Sequence, residues 1–299
     1  MAHIKKTALI LGTLVLALST LFLSCSNEEK SGEQAQTEKK EIRLGYFNWA
    51  ENVAVTNMWK ILLEEKGYDV EIVSGDKSPI WTGVAEGDLD VHFEAWMPKS
   101  DKPMWDEYKD SIEKYGPWFE GTQIGLAVPS YMEIDSIDEL NAQRDQFTAE
   151  GKAQIVGIDS GSMLMEMSRK AMEEYDLDYE LISSSGPVMA AELTKGIEND
   201  RPVVVTLWKP HWLFAEVDVK FLEDPKNVYG KIENIHFIGH KDFHETHPKV
   251  LSWMQNWKLN DATLGSLMST IKKADSPEEG AQKWIDANRD LVNSWFEES

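Results

Sequence analysis

Two strand-helix-strand-helix-strand runs follow one another along this chain, and that repetition limits the folds open to it more than any single residue does. IRLGYF (42–47) has the apolar composition of a strand, and VAVTNMWKILLEEKG that of a helix stopped by Gly67. DVEIVSG (69–75) reads as a second strand, IWTGVAEG as a short helix and DVHFEAW (90–96) as a third strand; a polar helical stretch from about Met104 to Tyr115 then leads to TQIGLAVP. The pattern restarts with AQIVGID (153–159), the helix GSMLMEMSRKAMEEY, the strand YELISSS, the helix PVMAAELTKGIEND and the strand PVVVTLW (202–208). Such alternation predicts an α/β fold with helices on the faces of its sheets. Two units predict two lobes.

AVPSYMEIDSIDELN and VKFLEDPKNVYGKIENIHFIG are the candidate crossings, which assigns residues 41–130 and 236–299 to lobe 1 and 131–235 to lobe 2. Two crossings make a hinge, and the cleft between hinged lobes is the natural ligand site. From about His244 the chain reads as mostly helical, with Trp253, Trp257, Trp284 and Trp295 spaced for amphipathic core faces.

The N-terminus sets the expected location. Lys5 and Lys6 precede an apolar run from about Ala8 to Leu23, ending in Ser24 and Cys25, the layout of a secretory signal and short for a stable membrane span. Cys25 is the only cysteine. LFLSC resembles a bacterial lipoprotein processing site, with Phe22 where leucine is usual, so residues 1–25 are read as a signal peptide ending at a lipidated Cys25. An uncleaved anchor is the competing reading. Residues 26–40, rich in Ser, Glu, Gln and Lys, are expected to form a disordered tether, leaving the protein extracytoplasmic and lipid-anchored.

The formal net charge is −22, from 52 acidic and 30 basic residues, and no basic cluster lies beyond the extreme N-terminus. Nucleic acid is therefore not an expected partner, because its phosphates need Lys or Arg. No HExxH, GxSxG, P-loop or Gly-rich dinucleotide turn is present, so neither a metal, a cofactor nor an enzymatic activity is expected, although 52 carboxylates leave a secreted glycosidase open as an alternative.

Twelve tryptophans, by contrast, demand a use. GYFNWAEN places Trp49 just after the first strand, FEAWMP places Trp96 at the end of the third, and VVVTLWKPHW places Trp208 at the end of the strand closing the second unit. Ligands of open α/β sheets sit outside the carboxyl ends of strands. Three indoles there suit a sugar, a flat base or a quaternary ammonium, whose methyl-covered cation needs ring faces and no hydrogen-bond acceptor. Core packing is the competing use for each ring. His211, in the WKPHW turn, reads as structural.

VGIDSGSMLMEMSRKAM adds a strand, a turn with Ser160 and Ser162, and a helix whose first amides come from about Met163 and Leu164. Free N–H groups at a helix start receive anions, a carboxylate included. Ordinary capping by Ser160 or Ser162 is the alternative.

Together YFNWAENVAVTNMWKILLEEKGYDVE, IWTGVAEGDLDVHFEAWMP, GTQIGLAVPSYM, IVGIDSGSMLM and LWKPHWLFAEVDVKFLEDP resemble the glycine betaine and choline substrate-binding proteins of ABC transporters, over about residues 41–299. The resemblance implies a two-lobed periplasmic-binding-protein-like fold that captures glycine betaine, choline or carnitine for osmoprotection or nutrient uptake. It implies a cation cage of Trp49, Trp96 and Trp208, with Met163, Leu164, Ser162, Glu51 and Asp101 near the ligand tail. An ABC permease with its cytoplasmic ATPase would be the protein partner of a monomeric binding protein. Glycine betaine binders of this type often carry a histidine five residues after the second cage tryptophan to help hold the carboxylate, where AWMPKSD has Asp101, an acid that would repel it; choline binders place an acid two residues after the first to accept the alcohol hydrogen bond, where WAE has Glu51. Both point the expected ligand toward choline or another hydroxyl-bearing compound such as carnitine. For both acids a solvated-surface role stays open, as does a surface lipoprotein that stacks sugars on its tryptophans.

Overall fold

The computed structural model describes residues 39–149 and 151–297. The expected signal peptide, Cys25 and the tether up to residue 38 lie outside the described residues.

The first sheet holds β1 (Glu41–Tyr46), β2 (Asp69–Ser74), β3 (Val91–Met97), β4 (Ile112–Glu120) and, returning from far along the chain, β11 (Asn234–His240). Their order is β2-β1-β3-β11-β4, with β1 parallel to β2 and β3, and β11 antiparallel to β3 and β4. The second sheet holds β5 (Gln123–Pro129), β6 (Thr148–Ala149), β7 (Lys152–Val156), β8 (Glu180–Ile182), β9 (Val204–Lys209) and β10 (Val219–Phe221) in the order β10-β5-β9-β7-β6, with β8 parallel to β7. Helices α1 (Ala50–Glu65), α2 (Lys77–Glu86), α3 (Lys102–Tyr108), α4 (Met163–Glu174) and α5 (Gly186–Glu198) join the strands.

The expected two-lobed α/β architecture is therefore present, with one boundary displaced. TQIGLAVP was assigned to lobe 1, but β5 pairs with β9 and β10 in the second sheet, so the first crossing falls at Gly121–Thr122 and not near residue 130. β4 fills the place beside β11 instead, and the polar helix expected to reach Tyr115 ends at Tyr108. The reason is tertiary: Tyr115 stacks on Phe237 of β11, with ring centroids 5.1 Å apart, a partner 122 residues away that no local pattern announces. Gly121 turns the chain with φ +92, a left-handed conformation that favours glycine. The second crossing lies beside it: the Thr122 N–H donates to the Glu233 carbonyl (3.0 Å) and the Glu233 N–H to Thr122 Oγ1 (3.2 Å).

Packing explains most of the tryptophans. In α1, Ala54, Val55, Met58, Trp59, Leu62 and Leu63 recur at helical spacing and are buried. Trp59 meets Trp257 edge-on at 5.6 Å, and Trp257 stacks on Trp118 at 4.7 Å. Trp284 and Trp295 are likewise buried, while Trp253 packs half-buried against Tyr68 and Phe296. These rings form the core on which the C-terminal helices close. No helix among the described residues is long and apolar enough to cross a membrane.

Both sheets reverse direction at one strand. From β1 the chain passes to β2 on one side and then to β3 on the other; from β7 it passes to β8 and then to β9 in the same manner. Each reversal opens a crevice at the carboxyl ends of the two flanking strands. Trp49 and Trp96 stand at the first crevice, the start of α4 and Trp208 at the second.

Candidate functional site

The two crevices meet. Trp49, Trp96 and Trp208 all line one cavity, together with Ile124 and Ile158. The rings of Trp49 and Trp208, from different lobes, have centroids 6.3 Å apart at an interplanar angle of 51°. Local chain geometry serves the rings. Trp49 occupies the N-cap position of α1, where its side chain accepts no capping bond, although Ser, Asp or Asn would stabilise the helix there. Trp96 and Trp208 are the penultimate residues of β3 and β9, each strand being followed by a proline, which lacks the N–H to extend a ladder. A Cβ on Gly186 would lie 3.3 Å from Trp208 Cη2, so glycine lets the start of α5 approach the indole.

Each indole N–H is given to a carboxylate. Trp49 Nε1 donates to Asp159 Oδ2 at 3.1 Å, Trp208 Nε1 to Glu51 Oε1 at 2.8 Å, and Trp96 Nε1 to Glu94. The first two bonds join residues of opposite lobes. Such bonds fix ring orientation while leaving the π faces to the cavity.

Glu51 is thereby placed differently from its sequence reading. It is fully buried and does not line the cavity, so the expected role of hydroxyl acceptor is replaced by that of a hydrogen-bond acceptor behind Trp208. Glu94, also fully buried, lies next to it. Burial pushes the Glu51 carboxyl up to about 7, and burial together with the neighbouring Glu51 charge holds Glu94 well above the usual carboxylate range. Glu51 Oε2 and Glu94 Oε2 meet no protein N–H or O–H donor among the described residues. A proton held between the two carboxyls satisfies both, because two like charges in a dry site do not ionise together.

For Asp101, expected near the ligand tail, the solvated-surface alternative is ruled out. It is 2% exposed and lines the cavity. Its Oδ2 accepts the Trp96 N–H at 2.7 Å, its own N–H donates to the Trp96 carbonyl at 2.9 Å, and its Oδ1 forms an ion pair with Lys77. Glu233, in the second crossing, accepts the Ser100 N–H at 2.9 Å and also bonds Lys99 N–H and the Ser100 hydroxyl, which fixes the loop between Trp96 and Asp101 to the hinge.

At the start of α4 the capping alternative is met. Ser162 Oγ caps the helix by accepting the Met165 N–H at 3.3 Å, and the first intrahelical bond runs from Glu166 N–H to the Ser162 carbonyl. The amides of Met163 and Leu164 precede both of these donors along the chain, and Ser162, Met163 and Leu164 all line the cavity. His211 takes the structural role: its Nδ1 accepts the Leu213 N–H at 3.2 Å, its ring meets Trp208 edge-on at 4.7 Å, and burial, aided by the Lys272 charge, lowers it to about 3, leaving it neutral.

Sequence reasoning missed Lys77, Glu94 and the bond from Trp49 to Asp159. Glu94 had a legible signal: an acid two residues before Trp96 in an apolar strand shares that residue's face. Lys77 had none, since its partner Asp101 is 24 residues away in a separate loop.

Residues 40–287 match the family model described as the substrate binding domain of the ABC-type glycine betaine transport system. The glycine betaine/carnitine transport binding protein GbuC of Listeria monocytogenes is 40% identical over 144 residues, covering 47% of this chain and 48% of that protein, so the aligned part spans about half the length of this curated relative. Among solved structures, lactococcal OpuAC in its closed-liganded conformation with glycine betaine superposes with a TM-score of 0.78 at 32% identity, over 87% of this chain and 100% of that one. An ABC-transporter choline binding protein in complex with choline, 22% identical with a TM-score of 0.75 over 86% of this chain and 91% of that one, shares the fold.

Proposed function

The chain belongs to the substrate-binding domains of ABC-type glycine betaine transport systems, and we propose that it captures a zwitterion of the glycine betaine class outside the cytoplasm and delivers it to an ABC permease driven by a cytoplasmic ATPase. The observation that carries this reading is the meeting of three indoles from two lobes in one cavity that Ser162, Met163 and Leu164 at the start of α4 also line. A trimethylammonium group has no N–H to donate and is attracted to ring faces. Each desolvated cation–ring contact contributes about 2 kcal/mol, so three supply most of the roughly 8 kcal/mol of a micromolar complex. The carboxylate at the other end suits the amides of Met163 and Leu164.

Choline is the less favoured ligand in this reading. The case for it rested on Glu51 as hydroxyl acceptor and on Asp101 as a barrier to carboxylates. Glu51 is outside the cavity, and the charge of Asp101 is paired with Lys77. Carnitine, named with glycine betaine for the Listeria relative, carries the same two ends. The binding step breaks no bond: indoles hold the cation, amides hold the anion, and the lobes close. Lipidation of Cys25 would keep the binding protein, a monomer, beside its permease.

Calorimetric titration of the protein, unfolded and refolded to strip carried-over ligand, tests the reading. Micromolar or tighter binding of glycine betaine, weaker binding of choline and none of a sugar panel is the expected result. Sugar binding without quaternary ammonium binding would defeat it.

A further inference from the structure

Lys77 and Asp101 are the one basic and the one acidic side chain lining the indole cavity among the described residues. We propose that Lys77 selects zwitterions over simple cations in this cavity, its ammonium receiving the carboxylate of a ligand whose quaternary nitrogen sits among Trp49, Trp96 and Trp208. This rests on the quaternary ammonium reading and adds to it the residue that decides between ligand classes.

Lys77 opens α2 just beyond β2, and its side chain is only 15% exposed. It lines both the indole cavity and the hydroxyl-rich groove beside it, which Ser160 and Ser184 also line, so it stands where the two spaces adjoin. An ammonium has three donors in rotatable positions. Asp101 engages the group through Oδ1 alone, because its Oδ2 already accepts the Trp96 N–H. The remaining donors are left for a ligand.

Charge balance gives the selectivity. The paired Lys77 and Asp101 sum to zero, and a zwitterion adds zero, each of its ends meeting an opposite or electron-rich group. Choline brings its positive charge next to an ammonium that repels it and has no carboxylate for that ammonium to receive. Asp101 is then a positioning residue: it holds Lys77 in place and neutralises it when the cavity is empty. Without Lys77, Asp101 would become an uncompensated buried carboxylate in the wall, repelling the tail of glycine betaine and attracting a cation or a hydroxyl.

The test is calorimetric titration of wild type, Lys77→Met, Lys77→Arg and Asp101→Asn with glycine betaine and choline, each protein refolded free of ligand. Lys77→Met should bind glycine betaine at least about tenfold more weakly and choline no less tightly than wild type, the loss of one charge-assisted bond being worth that factor. Lys77→Arg should keep the wild-type preference. Asp101→Asn, which retains an acceptor for the Trp96 N–H, should move the preference the opposite way, toward the zwitterion, and it reports even where Lys77→Met fails to fold. An equal loss of both ligands in Lys77→Met, or an unchanged preference in either Lys77→Met or Asp101→Asn, would overturn the proposal. If wild type binds neither ligand, the quaternary ammonium reading fails with it, before any variant is compared.

Discussion

Trp208→Ala is expected to weaken glycine betaine binding by about thirtyfold or more, the equivalent of one desolvated cation–ring contact of about 2 kcal/mol. The same substitution removes the bond from Nε1 to Glu51, one of two indole bonds that join the lobes, so closure suffers as well. Trp257→Ala is the informative comparison. That ring lies between Trp59, Phe93 and Trp118 in the core, remote from the cavity lining, and its loss should lower stability by roughly 3–5 kcal/mol while the folded fraction binds as wild type does. Trp208 is itself only 3% exposed, so its stability loss should be of similar size, and affinity is the readout that distinguishes the two variants. Calorimetry for affinity and urea unfolding for stability separate the two effects. Unchanged affinity in Trp208→Ala, with stability lost as in Trp257→Ala, would reduce Trp208 to a core residue.

The second large effect concerns Glu51 and Glu94. Both carboxyls are raised above their ordinary values by burial, Glu51 to about 7, so the folded protein holds protons that the unfolded chain releases above about pH 4.5. The contribution of Glu51 is complete below that pH and is lost as pH rises through about 7, and Glu94 acts in the same sense. Each tenfold change in proton affinity is worth about 1.4 kcal/mol, which makes the pH-dependent part roughly 3 kcal/mol. Two buried histidines act in the opposite sense: burial lowers His92 to about 4 and His211 to about 3, so their contribution is complete above about pH 6.5 and fades as pH falls. Glu94→Gln leaves the histidines alone, keeps an acceptor for the Trp96 N–H and offers Glu51 a permanent donor. It should match wild type near pH 5 and exceed it by roughly 1–3 kcal/mol near pH 8.5 in urea unfolding of the ligand-free protein. Equal destabilisation at both pH values would show that the pair does not share a proton.

The indoles were legible in the sequence because their position follows from a topological rule. Strand alternation announces the sheets, the carboxyl ends of the strands announce the crevice, and Trp49, Trp96 and Trp208 stand there whatever their long-range contacts. The crossing near residue 130 was misplaced because β5 has the same apolar composition as a strand of either sheet; only its pairing with β9, about 80 residues on, assigns it. Glu51 was misread for a related reason. Spacing from Trp49 says that it is close to the site, but its side chain is directed by Trp208, 157 residues away, and spacing carries no information about that bond. Asp101 looked like solvated surface inside KSDKP, yet a backbone amide and Lys77 hold it in the wall. Charged residues here do their work through partners distant in sequence, whereas the aromatic residues do theirs through position in the sheet.

A crystal structure of the protein with glycine betaine tests the central claim most directly. The expected result places the quaternary nitrogen within about 6 Å of the ring centroids of Trp49, Trp96 and Trp208, with a carboxylate oxygen about 2.7–3.2 Å from the amide nitrogen of Met163 or Leu164. A ligand bound elsewhere, or one that turns its carboxylate toward the indoles, would contradict it.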